Sequence, residues 1–173
     1  MFYIEKDNKI IISDSDLERL KTTLKFMPEL KDSDIKETDK EIVNGLFTDS
    51  EQYFEIKKSE ILNKLKAEFD KYNFRVNDSF LISSLGFKIN SDPRSLENVS
   101  ALININEDVE FIDYNNEIHN LNVSELRILL LEIQKNICSL VKQKNLIKQN
   151  ILNCSNLSEL LDIKIEFKMM DFS

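Results

Sequence analysis

Side chains able to do chemistry are few in this sequence, and we find no catalytic constellation among them. His119 is the only histidine, so one chain can supply neither a Ser-His-Asp triad nor a multi-histidine metal site. Both cysteines are expected to be reduced thiols, and Cys138, which falls within a predicted helix, is expected to fill space in the core rather than to act as a nucleophile. The remaining candidates for acid–base work are carboxylates, and no pair of them stands in an apolar setting that would shift a pKa. We therefore predict that the chain is not an enzyme and holds no cofactor.

Oxygen-bearing side chains gather in two stretches where a cation site can be considered. Glu29–Asp39 is rich in aspartate, but a calcium loop needs a central glycine that is missing here, so we interpret this stretch as a solvated linker. In the second stretch, residues 104–117, no metal-ligand spacing is recognisable, and the sequence leaves cation binding open. Its oxygens come from Asn104, Asn106, Glu107, Asp108, Asp113, Asn115 and Asn116.

Composition limits the classes of partner. The formal net charge of −8 argues against binding to nucleic acid or to an anionic membrane surface. No apolar run approaches the length of a membrane span, and the first residues lack the pattern of a signal peptide, so we expect a cytoplasmic protein unless it leaves the cell within a particle.

With 42% hydrophobic residues the chain can form a core, and two glycines and two prolines are too few for a loop-rich fold.

The first part of the chain predicts a hairpin followed by capped helices. Phe2–Glu5 and Lys9–Ile12 are expected to pair across Lys6-Asp7-Asn8. A serine or threonine with a glutamate three residues later is a capping box, and each box predicts a helix start. The boxes are Ser15–Glu18, Thr38–Glu41 and Thr48–Glu51, and they open helices to about Phe26, over Lys40–Phe47 and over Asp49–Tyr72. In the last of these we expect Glu60 to pair with Lys64.

The stretch Leu85–Ile103 organises the second part. Gly86 suits a strand entry, the strand ends by Ser91, Asp92 is placed to cap a helix, and Pro93 takes the first helical position. A second hairpin is predicted from Val109–Ile112 and Glu117–Leu121. Helix and strand both remain open for residues 74–84.

The last long helix, Val123–Leu152, has the most regular pattern in the chain and is capped by Asn122. Its apolar residues keep a four-three spacing from Leu126 to Ile151, with Lys144 as the single polar interruption. Two readings stay open: this helix packs on Asp49–Tyr72 within one subunit, or its far half forms an intersubunit coiled coil. Alternation in Ile163–Met170 predicts a half-buried strand that completes a small sheet or offers an edge to a partner. The candidate partner-binding residues are Leu140, Ile147, Ile151, Ile165, Phe167, Met169, Met170 and Phe172.

Together these elements predict an α+β fold that is predominantly helical. It has two long helices, about 49–72 and 123–152, a small antiparallel sheet and short capped helices. We expect an N-terminal part, residues 1–48, and a helical α+β domain, residues 49–173, or one continuous domain.

One family resemblance follows from these motifs. Gly86-Phe-Lys-Ile89, then Asp92-x-x-Ser95 and an apolar helix, resemble the core of a domain of unknown function found in bacteriophage tail proteins. The charged helix before it, the hairpin Val109–Leu121 and the helix start Asn122–Leu126 extend the resemblance over roughly Phe54 to Leu152. Such proteins are often encoded beside tail fibres and labelled assembly or accessory proteins.

The resemblance implies a function through protein contacts. It implies a non-enzymatic tail-fibre assembly chaperone or accessory protein whose partner is the tail fibre or another tail component, located in the host cytoplasm or incorporated in the virion tail. The alternative is an acidic prophage-encoded inhibitor that mimics DNA and blocks a host nuclease, suggested by the charge of −8. Acidic and basic residues are mixed along the helices, which speaks against the alternative.

Overall fold

A computed structural model of the chain describes residues 1–73 and 80–173 and has an α+β fold. These residues form two compact units, one of Met1–Glu60 with Ser155–Leu161 and one of Ile61–Cys154 with Asp162–Ser173. Helices account for about half of the described residues, which is less than the predominance expected from the sequence. Among the described helices, none is both long and apolar enough to cross a membrane.

The first unit begins with a three-stranded antiparallel sheet. Strands β1 (Phe2–Lys6) and β2 (Lys9–Asp14) form the predicted hairpin, and β3 (Lys36–Glu37) pairs with the other edge of β1. The turn residues Asp7 and Asn8 have φ of 53° and 60°, which is the type I′ conformation that suits a two-residue hairpin loop.

Helix α1 (Leu17–Leu24) starts one residue later than its capping box predicts. Asp16, not Ser15, is the N-cap, because its carboxylate accepts the backbone N–H groups of Glu18 and Arg19. Leu20 and Leu24 are buried, as the helical spacing predicts.

The predicted helix over Lys40–Phe47 is wrong. This stretch forms a second hairpin from β4 (Ile42–Val43) and β5 (Leu46–Phe47). Between them Asn44 and Gly45 have φ of 51° and 77°, again a type I′ turn. The Asn-Gly pair therefore outweighs the capping box Thr38–Glu41.

Helix α2 (Glu51–Asn73) confirms the first long helix to within two residues. Its cap is Ser50, whose Oγ accepts the N–H of Tyr53, and not the predicted Thr48. Glu60 pairs with Lys57 at 2.7 Å, so the expected pair with Lys64 is also wrong. From Ile61 onward α2 belongs to the second unit, where Leu65 and Phe69 are buried.

In the second unit, the stretch Leu85–Ile103 forms the strand and the capped helix that were predicted for it. Strands β6 (Phe80–Ile82) and β7 (Lys88–Asn90) pair antiparallel, with Gly86 at a φ of 90° in the connection. Residues 74–79, the first part of the stretch left open between helix and strand, lie outside the described residues. Helix α3 (Pro93–Ile105) has Asp92 as its N-cap, with Oδ1 accepting the Ser95 N–H at 3.0 Å. These features confirm the predicted strand, cap and proline position.

A hairpin and the longest helix complete this unit. Strands β8 (Val109–Ile112) and β9 (Ile118–Leu121) pair as predicted, and α4 (Val123–Asn153) begins with a capping box between Asn122 and Glu125. The short α5 (Leu157–Leu161) belongs to the first unit. The core of the second unit combines buried side chains of both hairpins, α3 and α4, namely Leu81, Ile89, Val99, Leu121, Leu126, Leu129 and Ile133.

The predicted terminal strand over Ile163–Met170 is not formed. Its side chains alternate between half-buried and exposed from Ile163 to Met169, as expected, and Met170 is half-buried as well. Among the residues that the structure describes, however, the segment joins no sheet, and one parallel bridge links Asp171 to Ile82. Backbone groups of Lys168 and Met170 instead find hydrogen-bond partners on side chains of α4, as described below.

Candidate functional site

The candidate partner-binding residues lie on the inner side of α4 and on the C-terminal segment. Leu140 and Ile151 are buried within the chain. The others are half-buried, namely Ile147, Ile165, Phe167, Met169, Met170 and Phe172. The sequence therefore identified apolar positions but not that the chain itself buries two of them and covers the other six in part.

Two side-chain amides of α4 hold the C-terminal segment, residues 162–173. Gln143 makes a bidentate contact with Lys168, because its Oε1 accepts the Lys168 N–H and its Nε2 donates to the Lys168 carbonyl, both at 2.9 Å. Seven residues earlier, and so on the same side of the helix, Asn136 accepts the Met170 N–H at 2.8 Å and donates to Ser91 Oγ at 2.9 Å. These amides satisfy backbone groups that a neighbouring strand would otherwise satisfy.

An aromatic cluster fixes the same segment to the second half of α2. The Phe167 ring centroid lies 5.6 Å from that of Phe69 and 5.3 Å from that of Tyr72. Lys144, the polar interruption in the apolar pattern of α4, places its Nζ 4.1 Å from the Phe69 ring centroid. A cation above an aromatic face is favourable, so this lysine belongs to the packed side of the helix.

The opposite side of α4 is exposed and carries apolar residues. This outer face consists of Ile128, Leu131, Lys135, Cys138, Lys142 and Leu146, which follow at spacings of three or four residues and are all exposed. The expectation that Cys138 fills space in the core is therefore wrong. No aspartate or glutamate occurs between Ile133 and Ser158, although the whole chain has a net charge of −8. The outer face is therefore an apolar and basic surface on an acidic protein.

A buried carboxylate on α4 supports the connection between β6 and β7. Glu132 Oε2 accepts from Ser83 Oγ at 2.6 Å, and Oε1 accepts from Ser84 Oγ at 2.6 Å and Ser84 N–H at 3.1 Å. Ser83 Oγ also accepts the N–H of Leu85 at 3.1 Å. These hydrogen bonds fix the turn between β6 and β7, so the role of Glu132 is structural.

A second polar cluster lies at the turn of the β8–β9 hairpin. Asp113, Glu117 and His119 place one potential ligand atom each within 4.8 Å of one another. Asp113 Oδ1 accepts the N–H groups of Asn115 and Glu117, both at 2.8 Å, and its Oδ2 lies 3.1 Å from His119 Nε2. Burial alone would raise the pKa of Asp113, but the hydrogen bonds from Glu117, His119 and Asn115 together outweigh it and hold the pKa of this carboxyl below its ordinary value.

Sequence reasoning found Asp113 but missed Glu117 and His119 as its neighbours. The signal was available, because the hairpin was predicted and a tight turn brings these positions together at one end of it. The other oxygen-bearing residues of the 104–117 loop do not belong to this cluster within the part of the chain that the structure describes. No family model, curated protein or solved structure matches this chain.

Proposed function

We propose that this chain is a non-enzymatic bacteriophage or prophage protein associated with the tail, acting as an assembly chaperone or accessory protein through contact with the tail fibre or another tail component. The resemblance of residues 54–152 to a domain of phage tail proteins supports the biological setting. The outer face of α4 is the observation that carries the mode of action, since it offers exposed apolar side chains on the longest helix.

The size of the outer face supports a weak, reversible contact. Complete burial of a leucine or isoleucine contributes about 1.5–3 kcal/mol. Ile128, Leu131 and Leu146 are 38%, 50% and 64% exposed, so a partner can bury about half of each side chain anew. For the three together this contributes roughly 2–5 kcal/mol, which is comparable to the roughly 4 kcal/mol of a millimolar complex. The entropy lost on association opposes this gain, so this face alone cannot hold a partner permanently. An assembly factor that must leave its client needs such a contact.

The charge on the outer face bears on the coiled-coil alternative. The inner side of α4 packs within the chain, so pairing with a second copy would have to use the outer face. Lys135 and Lys142 would then approach the same lysines of the other copy, and like charges at short distance oppose pairing. A different protein with acidic residues beside its apolar ones is the better partner for this surface.

A binding assay with the tail-fibre protein encoded beside this gene tests the proposal. The double variant Leu131→Asp/Leu146→Asp places two negative charges in the apolar part of the outer face. The control, Gln134→Asp/Asn150→Asp, introduces the same two charges at exposed polar positions of α4. We expect the double variant to lose binding and the control to keep it, with unchanged circular dichroism for both. Undiminished binding by the folded double variant would refute the outer face as the contact surface.

Deleting the C-terminal segment is a poor test, because residues 162–173 contribute to the fold of the second unit. Phe172 packs against the core and donates its N–H to the Ile82 carbonyl at 2.9 Å. Loss of binding after such a deletion would not distinguish a missing contact from a damaged fold.

The alternative function, a DNA-mimicking nuclease inhibitor, has weaker support. In the described part of the first unit, six carboxylates contact a lysine or arginine, namely Glu5, Asp14, Glu18, Asp49, Glu55 and Glu60. A mimic of the phosphate backbone needs acidic groups that are free to replace phosphates. Failure to inhibit nucleases at micromolar concentration would remove this alternative.

A further inference from the structure

We propose that Asp113, Glu117 and His119 form a binding site for a divalent transition-metal ion, with Zn²⁺ as the ion to test. The site lies at the turn of the β8–β9 hairpin and is independent of the contact proposed for α4. It uses two carboxylates and the chain's single histidine.

The distance between the two inner groups suits one shared ion. Zinc–ligand bonds to imidazole nitrogen and carboxylate oxygen are about 2.0–2.2 Å, which separates neighbouring ligand atoms by about 3–3.5 Å. Asp113 Oδ2 and His119 Nε2 are 3.1 Å apart. An ion can therefore bind both atoms with little movement of either side chain, and His119 then carries its hydrogen on Nδ1.

Both inner groups are held in place before an ion arrives. The Asp113 side chain is 0% exposed, and two backbone N–H groups occupy its Oδ1 while Oδ2 faces His119. The His119 ring stacks on Phe87 with a centroid distance of 4.0 Å and an interplanar angle of 14°. Hydrogen bonds to the ligating carboxylate orient it and are a usual feature of metal sites in proteins.

The third group completes the set from the solvent side. Glu117 is exposed, so its carboxylate can turn toward an ion held by the inner pair, and all three ligand atoms already lie within 4.8 Å of one another. Its side-chain oxygens have no hydrogen bond to the residues that the structure describes.

The donor set selects the class of ion. Imidazole nitrogen with two carboxylates suits Zn²⁺ and its neighbours in the first transition row, whereas Ca²⁺ and Mg²⁺ prefer sites made of oxygen. Three protein ligands leave at least one position for water or for a group from another molecule.

Bound Zn²⁺ would join the end of β8 to β9 and stabilise this hairpin. An ion that binds the folded hairpin and not the unfolded chain raises its stability by mass action. The competing explanation is that Asp113 only fixes the turn through the N–H groups of Asn115 and Glu117, with His119 as a further hydrogen-bond partner. Zinc titration separates the two explanations.

The experiment is Zn²⁺ titration by calorimetry and amide NMR on the full chain without a polyhistidine tag. Cys138→Ser/Cys154→Ser serves as the parent, because thiols bind zinc elsewhere. Glu117→Gln and His119→Gln test the site. Glu110→Gln, an exposed glutamate on the opposite face of the same hairpin, is the control.

We expect one zinc per chain in the parent and in Glu110→Gln, with amide shifts confined to the hairpin. Each site variant should lower the affinity by at least about tenfold. Glu117 is exposed, so its replacement leaves the fold intact and keeps the test valid even if His119→Gln is destabilised. Equal zinc affinity in the parent and in folded Glu117→Gln and His119→Gln, or no hairpin shifts at all, would overturn the proposal.

Discussion

Replacement of the buried Glu132 is expected to destabilise the second unit strongly. Glu132→Ala removes the acceptor of three hydrogen bonds, from Ser83 Oγ, Ser84 Oγ and Ser84 N–H. Hydrogen bonds to a charged acceptor contribute about 1.5–3 kcal/mol each, which sums to more than about 4 kcal/mol. Rotation of the Ser84 hydroxyl toward solvent recovers part of this, so we expect a loss of about 3–5 kcal/mol in the free energy of unfolding.

The isosteric variant Glu132→Gln separates shape from hydrogen bonding. Its amide oxygen can still accept both bonds from Ser84, but its NH₂ group then faces Ser83 Oγ, which already accepts the Leu85 N–H. The Ser83 hydroxyl hydrogen consequently loses its acceptor in a fully buried position. We expect about 1–2 kcal/mol of destabilisation, clearly less than for the alanine variant.

Urea unfolding followed by far-UV circular dichroism measures both variants, since α4 is the longest helix and dominates the signal. Gln134→Ala, an exposed polar residue on the same helix, is the control and should stay within about 0.5 kcal/mol of the unchanged chain. A Glu132→Ala variant within about 1 kcal/mol of the unchanged chain would refute the assignment of this carboxylate as the support of the β6–β7 turn.

Three further predictions concern other contacts. Asn136→Leu leaves the Met170 N–H without its acceptor and should lower stability by about 2–4 kcal/mol, with faster hydrogen exchange at the Met170 amide; unchanged exchange would contradict the anchoring role. Gly45→Ala should cost about 1–2 kcal/mol in thermal unfolding, because φ is 77° and the new Cβ would lie 3.0 Å from a carbonyl oxygen of β2; an unchanged melting temperature would count against the turn. Hydrogen bonding from Arg19 holds the pKa of Asp14 below its ordinary 3.8, so the pair stabilises the fold above that pH and the effect is lost as the pH falls through the folded value. In Arg19→Ala, NMR titration should find the Asp14 pKa closer to 3.8; an unchanged value would exclude Arg19 as the cause.

Local signals in the sequence predicted most elements of the second unit. Asp92 and Pro93 define the start of α3, and Asn122 defines the start of α4, because each acts through hydrogen bonds or backbone angles within a few residues of itself. Such short-range chemistry can be recognised without knowing what packs against it.

Predictions failed where two local signals competed or where a distant partner decided the outcome. The capping box Thr38–Glu41 predicted a helix, but the Asn44-Gly45 turn, which begins three residues after Glu41, made a hairpin. The alternation of Ile163–Met170 was read correctly as half-buried, yet nothing local indicates that amides of α4 would replace a neighbouring strand.

At the candidate site too, the sequence predicted which positions of α4 are apolar but not what those positions contact. The spacing of its apolar residues predicted the inner side of α4. The contact of this side with the chain's own C-terminal segment depends on residues far apart in sequence and could not be predicted in the same way. The contact between Asp113 and His119 was not predicted, although it depends only on the β8–β9 hairpin, which was predicted.

The hydrogen bonds from Gln143 and Asn136 to residues 168–170 affect which sequence changes this segment can accept. Both amides bind main-chain atoms of Lys168 and Met170, so these hydrogen bonds do not require particular side chains at the two positions. The exposed positions 164, 166 and 168 are therefore free to change their charge. Spacing is what must be preserved: a single inserted residue between the two anchor points would turn the apolar side of the segment toward water. In residues 162–173, substitutions at exposed positions are therefore tolerated more easily than insertions or deletions.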